Sequence, residues 1–280
     1  MGEVVQDDRA LVTHGQLLGD LRALGVRPGD TLMLHASVRA LGWIVGGPRV
    51  VLAALLDLLT PDGTLLMLAS WEGHPYGMQD WSAATRATWR AACPPFDPAT
   101  SPADHRELSI LAKYLRTWPG ARRSDHPLAP FVAVGARAEE LTALHPWHYG
   151  HGPDGPLARF CAADGEVLLL GASLSNITLL HHAEHLAAIP DKRVDRYERP
   201  VLRDGARVWV TVEEYDTTDG IADFGEEEPF AAIGRDFLAM GAGRRGPVGA
   251  TEGTLLPAAA LVRFGVRWLE THHRNPERAR

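Results

Sequence analysis

The sequence predicts an α/β protein with a mostly parallel central sheet, flanking helices and an inserted β-hairpin. Three features indicate this class. Short apolar runs bounded by turn-forming residues recur along the chain, and they have the length of buried strands. Segments with helical spacing of apolar residues alternate with these runs, as in βαβ units. The pair Asp204-Gly205 lies between two β-rich runs and marks the turn of a hairpin.

The individual elements follow from apolar spacing and from the residues that bound each segment. In the first helix, for example, Leu17, Leu21 and Leu24 fall on one side. We predict helices at 13–24, 48–59, 80–90, 107–117, 157–162, from 179, at 230–240 and at 258–270. Strands are predicted at 31–34, 64–69, 131–134 and 167–170, with the hairpin at 201–212. Residues 145–156 and 241–249 are rich in Gly and are predicted to be loops.

Composition excludes several classes of protein. With 280 residues, 45% hydrophobic and 22% charged, the chain has the make-up of an ordinary globular protein. Its net charge of −7 argues against a nucleic-acid partner and suits a cationic ligand. Cys93 and Cys161 are too few for a disulfide framework or a cysteine metal cluster. No signal peptide or membrane-length apolar run is evident, so we expect a cytoplasmic protein.

We find no internal repeat and no clear linker, and we expect one domain over residues 1–280. Within it, about 195–230 would form the inserted hairpin and an acidic loop. A monomer or a homodimer is expected.

The segment 165–188 carries the strongest functional signal. Its apolar run 167–170 ends at Gly171, and a helix follows from Leu179. The first turn of such a helix lies at the carboxyl end of a buried strand, where open α/β sheets bind ligands. His181 falls in that turn, and Glu184 follows three residues later on the same face. A carboxylate at this spacing can fix the tautomer of an imidazole, as a general base requires.

Other interpretations of these histidines stay open at this point. His181, His182 and His185 lie within five residues, and a histidine at a helix start is often a cap or a surface group. The fragment H-x-x-E-H also matches an inverted zinc-protease motif, but it lacks an evident third ligand. The histidines of loop 145–156 have no acidic or cysteine partner nearby in the sequence. We therefore expect no metal.

Two loops after predicted strands are suited to ligand contact. The Gly46-Gly47 pair precedes a helix and can present backbone N–H groups to a phosphate. It is neither a dinucleotide fingerprint nor a P-loop. The segment 70–76 follows another strand and mixes aromatic with acidic residues.

Several segments together resemble the aminoglycoside 3-N-acetyltransferase family over nearly the whole chain. The central match is 168–184, L-L-L-G-x(6)-T-x-L-H-x-A-E. The other matching segments are 35–47, 70–76, 94–100 (P-P-F-D-P-A-T), 122–127 (R-R-S-D-H-P), 189–193, 214–216 and 243–270. The resemblance implies an α/β fold different from the common small acetyltransferases. Their R-x-x-G-x-[GA] loop is absent here, since Arg39-x-x-Gly42 is followed by Ile44 at the last position.

The resemblance implies acetyl transfer from acetyl-coenzyme A to the 3-amino group of the deoxystreptamine ring, which gives antibiotic resistance. His181 would be the general base in a direct transfer. Glu184, or an acid among Glu213, Glu214 and Asp216, would orient it. Thr178 could present its hydroxyl to the thioester oxygen or the thiolate. The residues implied for the coenzyme are His35, Ser37, Val38, Arg39, Val45, Gly46 and Gly47.

A polycationic antibiotic requires carboxylates and aromatic faces. The residues implied for this role are Trp71, Glu72, Tyr76, Asp80, Glu214 and Asp216. The segments 154–156 and 172–177, with His182 and His185, depart from the family pattern. Three alternatives remain: an acetyl-coenzyme-A-dependent N-acetyltransferase for a different amine metabolite, a non-catalytic binder of cationic sugars, and a zinc hydrolase.

Overall fold

The structure is a computed structural model that describes residues 10–73, 78–105, 108–216, 221–224 and 228–273. The strands are β1 (Leu11–Val12), β2 (Thr31–Ala36), β3 (Trp43–Ile44), β4 (Thr64–Leu68), β5 (Arg122–Arg123), β6 (Phe131–Gly135), β7 (Glu166–Leu170), β8 (Val194–Arg203), β9 (Ala206–Tyr215), β10 (Arg244–Val248) and β11 (Thr251–Pro257). The helices are α1 (His14–Leu24), α2 (Arg49–Leu59), α3 (Ala83–Ala92), α4 (Ile110–Arg116), α5 (Ala138–Thr142), α6 (Pro156–Ala162), α7 (Leu180–Leu186), α8 (Pro229–Ala239) and α9 (Ala258–His272). Short 3₁₀ helices lie at Met78–Asp80 and Leu174–Asn176.

A seven-stranded sheet in the order β10-β11-β7-β2-β4-β6-β5 forms the centre of the protein. Strand β2 pairs in parallel with both β4 and β7. The outer pairings are antiparallel, so β11 and β6 run against the other five strands. The predicted α/β class with a central sheet is confirmed, and parallel pairing is confined to its three middle strands. The carboxyl ends of β4, β2 and β7 therefore meet at one edge.

Helices cover both faces of this sheet because its central strands are apolar on both sides. On one face, Leu32, Leu34 and Leu168 pack in a core with α1, α2 and α4. On the other face, Met33 and Val167 belong to a second core with α5 to α9. Neighbouring residues of one strand point to opposite faces, so continuous apolar runs are what a sheet buried on both sides requires.

The prediction of a loop at 241–249 is wrong. Residues Arg244–Val248 form the edge strand β10, which pairs with β11 from Arg244↔Leu255 to Val248↔Thr251. Gly246 and Pro247 suggested a loop, but an edge strand tolerates proline because only one of its sides is hydrogen-bonded. Strand β11 joins this edge to β7 and was not predicted.

The predicted hairpin is confirmed and is longer than expected. Strands β8 and β9 form a separate two-stranded sheet, paired from Val194↔Tyr215 to Arg203↔Ala206. Its turn residues have positive φ, 50° at Asp204 and 75° at Gly205, as a two-residue type I′ turn requires. Among the described residues, no helix combines the length and the apolar character needed to cross a bilayer.

Gly171 follows the last residue of β7 and is closely packed at the carboxyl edge of the sheet. Its φ is 61°, and a Cβ there would lie 2.5 Å from the Ala40 Cβ and 3.0 Å from the Thr251 Oγ1. We expect Gly171→Ala to lower the free energy of unfolding by about 2–4 kcal/mol, combining left-handed strain with overpacking. Urea denaturation measures this value.

Gly29→Ala is the matched control, because Gly29 has a φ of 85° with nothing within 4 Å of a Cβ. The free energy of unfolding should fall only by the cost of placing alanine at positive φ, about 1 kcal/mol. Equal losses in the two variants would contradict the packing explanation.

Candidate active site

A pocket of about 630 Å³ opens at the carboxyl edge of the three parallel strands. Its walls come from the ends of β2 and β4, from the loop after β7, from the segment before α4 and from α8. The lining residues are 34–39, 67–68, His105, 108–110, 171–173, 175–176, Thr178, His181 and Phe230. Its size is within the usual range for small-molecule sites.

The predicted histidine–carboxylate pair is present in α7. His181 Nδ1 lies 2.7 Å from Glu184 Oε2, one helical turn away. The Glu184 side chain is 4% exposed, whereas that of His181 is 24% exposed and lines the pocket. Because the carboxylate accepts a hydrogen bond from Nδ1–H, the proton of the neutral ring stays on Nδ1 and Nε2 is the basic atom.

The residues before α7 place this pair at the pocket. The Ser173 side chain accepts from Ser175 N and caps the short 3₁₀ helix Leu174–Asn176. Helix α7 then starts without a side-chain cap. Thr178 lies in the pocket wall at 9% exposure.

Two other rings contact the His181 imidazole. The His151 ring centroid is 5.2 Å away, with the ring planes inclined by 31°. Phe230 of α8 is 4.8 Å away and meets the imidazole edge-on, at 66°. The hydrogen bond to Glu184 and these two ring contacts together restrict rotation of the His181 side chain.

A second carboxylate pairs with histidines beside the first. Glu214 Oε1 lies 2.6 Å from His185 Nε2, and Glu214 Oε2 lies 3.3 Å from His151 Nδ1. Glu214 is the acidic partner that sequence reasoning did not find for the loop histidines, because it comes from β9. The three groups could be taken as metal ligands. However, two ligands of one zinc ion keep about 3.3 Å between them at Zn–ligand lengths near 2.1 Å. The 2.6 Å contact is instead a direct hydrogen bond.

Burial keeps several histidines neutral. It lowers the pKa of His35 to about 4 and that of His126 to about 3. The pKa values of His145 and His151 are also lowered by burial. His126 stacks on His145 at 4.1 Å, and its Nδ1 accepts from Leu128 N and Ala129 N. Each of these rings is therefore uncharged near neutral pH.

The residues predicted for the coenzyme fall into two groups. His35, Ser37, Val38 and Arg39 line the pocket, and Ser37 N donates to Leu170 O across the β2–β7 pairing. The described pocket lining does not include Val45, Gly46 and Gly47. Gly47 N donates to Ile44 O, and Val45 N donates to Val12 O, so two of these three amides serve the backbone. Coenzyme binding by these three residues remains a prediction.

The residues predicted for the cationic substrate are distributed differently. Trp71 is 3% exposed and packs against Phe96, so the stacking role predicted for it is not supported. Glu214 is 3% exposed and bound to histidines, so we reassign it from the substrate to the network around His181. Asp216 pairs with Arg193 at 3.2 Å.

Glu72 is half-buried and Asp80 is exposed, and neither belongs to the described lining of the pocket. Tyr76 lies outside the described residues.

Sequence reasoning missed several pocket and network residues. His105 and Phe230 line the pocket but lie in unremarkable segments. His151 was considered only among the clustered histidines of loop 145–156, as a metal ligand, and its contact with His181 was not predicted. Their proximity to His181 depends on tertiary packing between distant segments.

The neutral histidines predict loss of stability in acid. A histidine whose pKa is lower in the folded state contributes fully to the free energy of unfolding above its ordinary pKa of 6.5. This contribution is lost as the pH falls towards the pKa of the folded state. For His126, the free energy of unfolding falls by about 2 kcal/mol at pH 5. Urea denaturation from pH 8 to pH 5 measures it.

His126→Asn is the diagnostic variant. An asparagine oxygen can accept from the same backbone amides without titrating. The variant should be less stable at pH 8 but should lose about 2 kcal/mol less between pH 8 and pH 5. Parallel pH profiles for the two proteins would contradict this origin of the pH dependence.

Comparison with known proteins agrees with this geometry. A family model described as aminoglycoside 3-N-acetyltransferase matches residues 33–270. Aminoglycoside N(3)-acetyltransferase III of Pseudomonas aeruginosa is 51% identical, with 92% of this chain and 94% of that protein covered.

Two solved structures are also similar. A structure titled AAC-IIIb binary with CoASH has a TM-score of 0.88 and 45% identity, covering 95% of this chain and 99% of the other. A sisomicin-bound structure of AAC-VIa has a TM-score of 0.85 and 38% identity, covering 94% and 99%. The chain therefore belongs to the aminoglycoside 3-N-acetyltransferase family and is an acyltransferase.

Proposed function

We propose that the enzyme transfers the acetyl group of acetyl-coenzyme A directly to the 3-amino group of the deoxystreptamine ring of aminoglycosides, with His181 as the general base. The observation that carries this proposal is the 2.7 Å contact between His181 Nδ1 and Glu184 Oε2 at the pocket. The acetylated antibiotic would have lost a cationic amine, which accounts for resistance.

The chemistry requires a base at this position. An ammonium has no lone pair, so the attacking amine must be neutral or must lose its proton during attack. The amine nitrogen forms a bond to the thioester carbon, and His181 Nε2 takes the amine proton. The C–S bond then breaks, and the electron pair leaves with the coenzyme A sulfur. Glu184 stabilises the imidazolium that forms, because its carboxyl group is buried and hydrogen-bonded to Nδ1.

The pocket supports acetyl-coenzyme A as the donor. The turn after β2 contributes Ser37 and Val38 to the lining, and the exposed Arg39 brings a positive charge for phosphate. A relative with 45% identity has been solved with CoASH. The Thr178 hydroxyl lies in the same lining as His181, where it can donate to the thioester oxygen as negative charge develops there.

Acidic residues support a cationic acceptor. Glu72 and Asp80 come after β4 in the sequence, and the whole chain carries a net charge of −7. A polycationic antibiotic would be attracted by these charges and held by hydrogen bonds to them. A relative with 38% identity has been solved with sisomicin.

Substitution of the pair tests the proposal. His181→Ala should lower kcat for gentamicin-dependent thiol release by about 10²–10⁴-fold, because the proton acceptor is lost. Glu184→Gln should lower kcat by about tenfold or more, because the amide cannot stabilise the imidazolium. Release of free coenzyme A thiol is followed with a chromogenic disulfide, and susceptibility of expressing cells gives a second readout.

His14→Ala is the control, because His14 pairs with Asp57 at 2.9 Å on the surface and should leave kcat unchanged. A His181→Ala enzyme with nearly wild-type kcat would refute the assignment of the base. Efficient thiol release with simple amines but none with aminoglycosides would refute the assignment of the acceptor.

A further inference from the structure

The buried polar network beside His181 has no role in the reaction described so far. It joins His151 of the loop before α6, His185 of α7 and Glu214 of β9. Their side chains are 9%, 5% and 4% exposed. Since none of the three is among the described lining residues of the pocket, their effect on the reaction would have to pass through His181.

We propose that His151 is a positioning residue for His181, and that Glu214 and His185 hold the His151 ring in place. This inference rests on His181 being the base. The centroids of the His151 and His181 rings are 5.2 Å apart, whereas Glu184 fixes only one atom of the His181 ring, Nδ1. Together with Phe230, the His151 ring limits rotation of the imidazole about the bond that carries it. It thereby keeps Nε2 at a constant position relative to the amine.

The network fixes His151 from two further elements. Glu214 accepts from Tyr215 N at 2.9 Å and contacts His185 at 2.6 Å, so its carboxylate is held by β9 and α7 together. Its other oxygen faces His151 Nδ1 at 3.3 Å. His182 Nδ1 donates to the His151 backbone carbonyl at 2.8 Å, which attaches the loop to α7 directly. Tyr149 N donates to Glu213 O at 2.7 Å and attaches the same loop to β9.

The charges in the network favour this role. Burial lowers the pKa of His151, so the ring against His181 is neutral and does not oppose the imidazolium formed there. Burial acts to raise the pKa of Glu214, but contacts with His151 and His185 outweigh it and hold the pKa well below its usual range. Glu214 therefore stays ionised. The titratable groups around His151 are Glu214, His181, His182, His185, His126 and His145.

Four variants separate positioning from simple structural support. His151→Ala removes the ring, His151→Phe keeps a ring of similar volume, and Glu214→Gln keeps the shape of the side chain without its charge. His14→Ala is the control, since His14 pairs with Asp57 at 2.9 Å on the surface. Each variant is assayed for kcat, for both KM values, for coenzyme A affinity by calorimetry and for thermal unfolding.

We expect His151→Ala to lower kcat about tenfold to hundredfold, since misplacement of a catalytic group has effects of this size. Both KM values and coenzyme A affinity should stay within about twofold, because the network does not line the pocket. His151→Phe should recover part of kcat. Glu214→Gln should lower kcat and move the acid limb of the kcat/KM profile to lower pH, because a negative charge near the imidazolium is lost. His14→Ala should match the wild type.

Wild-type kcat in both His151→Ala and Glu214→Gln would overturn the inference. The inference would also be overturned if kcat, coenzyme A affinity and thermal stability all fell together and His151→Phe recovered none of them. That result would show a structural role only. Failure of the proposed function is distinguishable, because His181→Ala would then retain activity whatever the behaviour of the His151 variants.

Discussion

A hydrogen bond between His181 Nδ1 and a buried carboxylate, Glu184 Oε2 at 2.7 Å, is the interaction on which the site depends. Helical geometry brings the two side chains together because they are three residues apart. The sheet determines where they act, since β7 delivers the chain to α7 at the same edge where β2 and β4 end. An imidazole at the helix start, open to a pocket on one side and bound to a carboxylate on the other, can accept a proton and stay charged for the time of the reaction.

Helix α7 uses its histidines in different ways. His181 faces the pocket, His182 binds the backbone of the loop at His151, and His185 binds Glu214. The two deeply buried glutamates, Glu184 and Glu214, each contact an imidazole, which offsets the cost of removing their charge from water. The hairpin, the histidine-rich loop and α7 are thus joined by polar contacts as well as by apolar packing. This arrangement explains how elements far apart in the sequence could influence the His181 ring.

Local signals were sufficient to predict the central part of the structure. Apolar runs located β2, β4 and β7, the Asp204-Gly205 pair located the hairpin turn, and the spacing of His181 and Glu184 predicted their contact. Features that depend on long-range packing were not predictable in this way. Strands β10 and β11 were missed because glycine and proline weaken the pattern at an edge, and the partner of His151 and His185 lies on a distant strand. Trp71 looked available to a ligand, yet folding buries it against Phe96.

A crystal structure of the enzyme with coenzyme A and gentamicin bound together would test the central claim most directly. The account predicts that the 3-amino nitrogen of the antibiotic lies within about 3.2 Å of His181 Nε2, as a general base requires. The thiol sulfur should lie in the same pocket, on the side of that nitrogen from which the acetyl group would arrive. A 3-amino nitrogen bound well beyond hydrogen-bonding reach of His181, with another side chain in contact with it, would contradict the account.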